Sequence, residues 1–266
     1  MSTIKYILQS FRLITSITSG LISFIIMYFN INDASVIELI LRSIPMILVT
    51  GIGFIINDIG DLEYDKQAKK NRPITMELLS KSSAIFSIII FSIIMFSIEI
   101  LFQNLVSFLI LFSTYLLVFF YTFISKKIPY IKNFVTAILC ISPFVYAQII
   151  SNINPNLFIL GIVFIFITGR ELLIDASVDF IGDSNAGLKT LAVILNPFYA
   201  QLISWTLMLT ALILTRFFII DFPLIFSTSL ISFVCCFILF YLFKKQNLSI
   251  RLMLLVMITT TIFIYI

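Results

Sequence analysis

At 266 residues, 61% hydrophobic and only 11% charged, the chain is too apolar for a soluble domain, and its apolar residues come in runs of about twenty. It contains no histidine, so zinc hydrolysis, haem ligation through histidine and Ser-His-Asp chemistry are excluded together. The net charge of +4 sits at the edges of apolar runs instead of on one basic face, which argues against a nucleic-acid partner.

Periodicity and length predict an all-α polytopic membrane protein of about nine transmembrane helices in a bundle, with residues 1–266 forming a single membrane domain. The first span covers about 13–29, behind Lys5 and Arg12. No small-residue cleavage pattern lies around Asn30 to Asp33, so this run is read as a mature helix and not as a signal peptide. The second span, about 36–56, contains Pro45, Gly51 and Gly53, where the helix could loosen or let a neighbouring backbone approach. Further spans follow at about 76–101, 105–124, 134–150, 157–168, 191–214, 223–243 and 248–266. Cys140, Cys235 and Cys236 lie inside apolar runs without C-x-x-C spacing and read as small core residues.

Between the second and third spans the chain changes character: Asn57, Asp58, Asp61 and Asp65 are followed by Lys66 and by Arg72-Pro73. On a helix, Asp58, Asp61 and Asp65 fall on one narrow face, at about 100° per residue. Three like charges on one stripe need a cation. Oxygen ligands alone select a hard ion, Mg²⁺ foremost with Mn²⁺ as a possible substitute, and Mg²⁺ readily shares carboxylates with a phosphate-bearing substrate. Lys66 and Arg72 could hold the same phosphates from the other side. The competing reading is a polar loop laced with surface ion pairs of little consequence.

A second acidic stretch opens at Arg170-Glu171 and runs to about Thr190, with Asp175, Asp179 and Asp183 spaced by four so that they too share a helix face. Here the structural alternatives are that Asp183 caps the turn at Gly182 and that Arg170 pairs with Glu171 or Asp175. The two stretches lie four spans apart, which suggests two pseudo-repeated four-helix units with a ninth helix added. In this layout the lysines and arginines, apart from Arg42 and Arg216, fall on one side of the membrane, the side that holds both acidic stretches. That side is expected to be cytoplasmic, at the cell membrane if the source is bacterial or archaeal.

With both stretches in view, the sequence resembles the UbiA superfamily of intramembrane prenyltransferases. The family's N-D-x-x-D-x-x-x-D signature is matched by Asn57, Asp58, Asp61 and Asp65, with its trailing Arg-Pro at Arg72-Pro73. Its D-x-x-x-D signature is matched by Asp175 and Asp179, followed by a G-x-K-T-L tail at Gly187 to Leu191. Tyr121, Lys126, Lys132 and Asn133 match an intervening Y-x-x-x-x-K and K-N pattern. The resemblance covers roughly the whole chain. Two departures bear on acceptor choice and not on the metal site: Ile174 stands where relatives often carry lysine, and Asp175 to Gly182-Asp183 is one residue longer.

The resemblance implies transfer of an isoprenyl group from a prenyl diphosphate to a lipophilic or aromatic acceptor within the bilayer. It implies Asp58, Asp61, Asp175 and Asp179 as catalytic, with Asn57, Asp65 and Asp183 joining them around Mg²⁺. Lys66, Arg72, Tyr121, Lys126, Lys127 and Lys132 would hold the diphosphate. A terpene cyclase on the same scaffold would need the same aspartates. An ion-coupled transporter is a further alternative, although its acids would sit near the bilayer midplane in broken helices. Acceptor identity and prenyl length depend on cavity shape, which the sequence does not display.

Overall fold

A computed structural model of the chain describes residues 2–67, 70–123, 128, 131–185, 187–217 and 223–265. Among these residues every regular element is helical. In chain order they are α1 (Ser2–Ser10), α2 (Leu13–Asn30), α3 (Val36–Gly60), α4 (Leu62–Gln67), α5 (Lys81–Leu101), α6 (Leu105–Phe123), α7 (Ile131–Ile150), α8 (Leu157–Ile174), α9 (Phe180–Asn185), α10 (Leu191–Leu195), α11 (Pro197–Thr215), α12 (Pro223–Tyr241) and α13 (Gln246–Tyr265). A π-helical turn, Asp175–Asp179, joins α8 to α9. Among the described residues eight helices are long and apolar enough to cross a membrane, and the shorter apolar stretch 246–260 lies within α13. Ile85, Phe86, Ile89 and Ile93 on α5 are exposed, as side chains that face lipid can be. The protein is an integral, multi-pass membrane protein.

The ends of these helices obey local chemistry. Ser35, Ser80 and Asn156 cap α3, α5 and α8, their side chains accepting from the backbone N–H of Glu38, Ser83 and Phe158. The expected third span starts five residues late, at Lys81, because Ser80 supplies that cap. The expected seventh span is two helices. Asn196 precedes a proline and adopts φ 72°, while Pro197 opens α11 where its missing N–H costs nothing, so the helix restarts there.

The contacts divide the chain into two compact units, residues 1–126 with 142–155 and residues 127–141 with 156–266. The division falls inside α7, next to Pro143, which removes a backbone donor from the helix interior. In the first unit α3 is the central helix, packed against α2, α5 and α6. Near the start of α3, Glu99 is buried and accepts hydrogen bonds from Ser107 and from Tyr146, the latter at 2.5 Å, so a carboxylate inside a spanning helix has its oxygens satisfied. In the second unit α8 is central and packs closely on α11: a Cβ on Gly169 would lie 2.9 Å from the Ser204 carbonyl oxygen, a distance only glycine permits.

Candidate active site

In the first unit, the acidic stretch begins on the last turn of α3. That helix ends at Gly60, and Asp61 takes φ −92° and ψ 5°, the sparsely populated region between helix and strand. Helical bonding resumes at once, Asp61 N–H donating to Asn57 and Asp65 N–H to Asp61, so the three aspartates keep near-helical spacing across the break. Asp58 and Asp65 are buried at 2% and 0% exposure, and Asn57 and Asp61 are half-buried. A solvated polar loop is ruled out by that burial. Gly51 and Gly53 do not loosen α3, which is helical through both. Gly51 leaves a slot filled by the Phe11 ring, and Gly53 faces Val118 on α6, so side chains and not a neighbouring backbone approach there.

Two arginines meet on one oxygen. Arg72 Nη1 donates to Asp58 Oδ1 at 2.5 Å, and Arg12 Nη2 donates to the same oxygen at 3.3 Å. Arg72 also reaches Asp65 Oδ2 with Nε at 3.1 Å, bridging the two buried carboxylates, while Lys70 lies 4.0 Å from Asp65 Oδ1. The segment that carries Arg72 folds back on itself: the Pro73 carbonyl accepts from Leu78 and Leu79, and Ile74 and Leu79 bury beside Phe11 and Ile55. Burial would lower the Arg72 guanidinium, but Asp58 and Asp65 outweigh it and hold it above its ordinary value. Burial pushes the Asp65 carboxyl up from the usual carboxylate range, against the pull of Arg72. Burial also draws Arg12 below its ordinary value, with Asp58 opposing.

Lys66 is exposed on α4, and Tyr121 is half-buried on α6. Lys126 and Lys127 lie outside the described residues. Arg12 and Lys70 join the site without belonging to either sequence motif. The available signal was an arginine at the mouth of an apolar run, a position where charge needs a partner.

In the second unit, Lys132 on the first turn of α7 donates to Asp175 Oδ1 at 2.6 Å. Asp175 is 2% exposed, and its Oδ2 is buried with no hydrogen-bond partner among the described residues. Asp183 is buried and Asp179 half-buried. The sixth span does not end at about Thr168 but continues into the second acidic stretch. Helix α8 runs to Ile174, and the π turn then carries Asp175 and Asp179. A π turn bonds each residue to the fifth along instead of the fourth, which absorbs one extra residue. Arg170 pairs with Glu171 at 2.6 Å, and Asp183 closes α9 with its backbone: Leu188 N–H and Gly187 N–H bond back to the carbonyls of Asp183 and Ser184, with Gly187 at φ 67°.

Among the described residues no three Asp, Glu, Cys or His side chains converge as a closed metal cage would require. The donors nevertheless suit a hard cation held partly by substrate oxygens. They are buried carboxylates, neutralised by arginine and lysine, and among the described residues Asp65 and Asp175 keep oxygens without a hydrogen bond.

Membrane-spanning helices with two aspartate-rich helix ends, each matched by basic side chains, define an intramembrane protein whose charged chemistry is gathered at helix ends. Residues 15–260 match the model of the UbiA prenyltransferase family, and the chain belongs to that family. The digeranylgeranylglyceryl phosphate synthase of Methanococcus aeolicus is 29% identical over 194 residues, covering 71% of this chain and 68% of that protein. The chain spans little more than half the length of several other synthases of the same name. A UbiA homologue from Aeropyrum pernix has the same fold, with a TM-score of 0.79 at 16% identity over 94% of this chain and 98% of that one. So does one from Archaeoglobus fulgidus bound to GPP and Mg²⁺, with a TM-score of 0.73 at 17% identity over 98% and 99%.

Proposed function

We propose that this protein transfers an isoprenyl group from a prenyl diphosphate to a lipid acceptor, with the aspartates of both stretches serving one Mg²⁺-diphosphate in catalysis. The observation that carries the reading is the pairing of buried Asp58, Asp65 and Asp175 with Arg12, Arg72 and Lys132: carboxylates to hold metal, cations to hold phosphate. The Archaeoglobus homologue's GPP and Mg²⁺ support donor and metal alike. The name of the Methanococcus relative favours a glyceryl phosphate lipid over an aromatic acceptor, and a geranylgeranyl donor.

In the reaction, the allylic carbon–oxygen bond to diphosphate breaks and a carbon–oxygen bond to the acceptor hydroxyl forms, the hydroxyl proton leaving to solvent. Mg²⁺, when bound, neutralises charge on the departing diphosphate. Asp58, Asp61, Asp175 and Asp179 would hold the metal, with Asn57, Asp65 and Asp183 adjoining. Arg72, Lys132, Lys66 and Tyr121, with Lys126 and Lys127, would orient the phosphate oxygens. The acidic ends face the cytoplasm in this reading, which rests on the clustering of Lys and Arg on their side.

The decisive experiment incubates purified protein with labelled prenyl diphosphates of several lengths and with glyceryl phosphate lipid or aromatic acceptors, and identifies the product by mass. Coupled product that requires Mg²⁺ or Mn²⁺ and disappears with EDTA is expected, and zinc should not replace them because no nitrogen or sulfur ligand is at hand. A free cyclic hydrocarbon or alcohol would turn the assignment to a cyclase, and full activity in chelator would remove the metal from it. Orientation is read separately by placing single cysteines at 61, 127 and 179 after the native thiols are removed. Labelling by an impermeant thiol reagent should occur only once the cytoplasmic face is exposed, and labelling of any one from outside would invert the assigned sidedness.

A further inference from the structure

Arg12 is an arginine in a backbone conformation that arginine seldom adopts. It sits at φ 49° and ψ 58°, left-handed, at the break between α1 and α2. For a residue with a Cβ that conformation carries strain, and it persists only where neighbours enforce it. They do so here. The Phe11 ring fills the slot at Gly51, where a Cβ would lie 2.0 Å from it, and packs edge-on to Phe91. The Phe11 carbonyl accepts from Ser16 Oγ at 2.8 Å, and Arg12's own carbonyl accepts from Ser16 N–H. The result of this bracing is to send the Arg12 guanidinium over the Phe54 ring, 4.4 Å from its centroid, and onto Asp58 one helical turn further along α3.

That target is already served. Arg72 holds the same Oδ1 of Asp58 at the shorter distance, so two cations share one carboxylate oxygen. A divalent metal on Asp58 would be a third cation at that point, and the Arg12 contact is the longer and weaker of the two. Arg12 is also the freer of the arginines, its side chain 37% exposed against 19% for Arg72.

We infer that Arg12 is a placeholder and positioning residue: it keeps the Asp58 carboxylate neutralised and oriented before the metal arrives, then yields it and turns to the oxygens of the metal-bound diphosphate. The inference rests on the proposed Mg²⁺-diphosphate reading. It implies opposite effects on two bindings. Removing Arg12 takes a competing cation away from Asp58, so metal alone binds more tightly; it also takes a donor from the diphosphate, so the metal-diphosphate complex binds less tightly.

Arg12→Gly is the suitable variant, because glycine adopts the left-handed conformation without strain and the fold is preserved. In detergent its melting temperature should equal or exceed that of the unaltered protein. Mn²⁺ alone, followed by the EPR signal of the free ion, should bind at least about threefold more tightly to the variant. Inorganic pyrophosphate at saturating Mg²⁺, followed by calorimetry, should bind about tenfold more weakly, the scale of one charge-assisted hydrogen bond. Arg12→Lys should fall between the two proteins in pyrophosphate binding. Equal weakening of both ligands would mean a merely structural role and overturn the inference, as would pyrophosphate affinity left unchanged. If the unaltered protein binds no pyrophosphate with Mg²⁺, the failure belongs to the functional reading and not to Arg12.

Discussion

Asp58→Asn and Asp175→Asn should each lower diphosphate release by about 10² or more, the scale on which loss of one preorganised electrostatic contact slows a reaction. Both residues are buried, at 2% exposure each, and each is held by a cation within 2.6 Å, so the amide keeps the shape and removes only the charge that would bind metal. The variant carrying both changes should be scarcely slower than the weaker single variant, because residues that act as one unit in catalysis are strongly non-additive. Insertion into the membrane should survive in all three, since an amide at a helix end is less costly to the bilayer than a carboxylate. Diphosphate release by purified proteins, at equal amounts in the membrane fraction, is the measurement. Rates near the unaltered value for either single variant, or a double variant slowed by the product of the two, would separate the aspartate stretches into independent roles.

The spans were legible because an apolar run of membrane length announces itself, and helix ends marked by Ser80 or Asn156 need only local chemistry. Helix α1 was not, since its nine residues mix Lys5 and Gln9 with Ile4 and Leu8 and are too short to register as a span. The break at Asn196 was written in the Asn-Pro pair and passed over because the surrounding run is apolar on both sides. The aspartates could be named from spacing. Their partners could not: the contacts from Arg12 to Asp58 and from Lys132 to Asp175 join residues 46 and 43 apart in sequence, and only packing decides which cation meets which acid. The π turn is likewise a tertiary fact. The spacing of four from Asp175 to Asp179 reads as one face on an α-helix, and only the backbone shows that the turn is wider.

Arg72 is the residue whose loss should most disturb the resting protein. Its Nη1 and Nε serve two different carboxylates, Asp58 at 2.5 Å and Asp65 at 3.1 Å, and both acids are buried. Taking one partner from a buried ion pair leaves an uncompensated charge, a change that costs about 3–5 kcal/mol. Asp58 would keep Arg12, but among the described residues Asp65 would keep only Lys70 at 4.0 Å, so Asp65 should bear most of the penalty. Arg72→Gln should therefore melt well below the unaltered protein in detergent without metal. Arg72→Lys should recover little of that loss, because a single ammonium cannot span two carboxylates in the way a planar guanidinium does. Adding Asp65→Asn to Arg72→Gln should restore much of the stability, since the acid left unpaired is then neutral. Activity should stay low in that double variant, because the cation proposed to orient the phosphate is still missing. If Arg72→Gln melts with the unaltered protein, or if neutralising Asp65 brings no recovery, the bridge is not what holds the two aspartates in place.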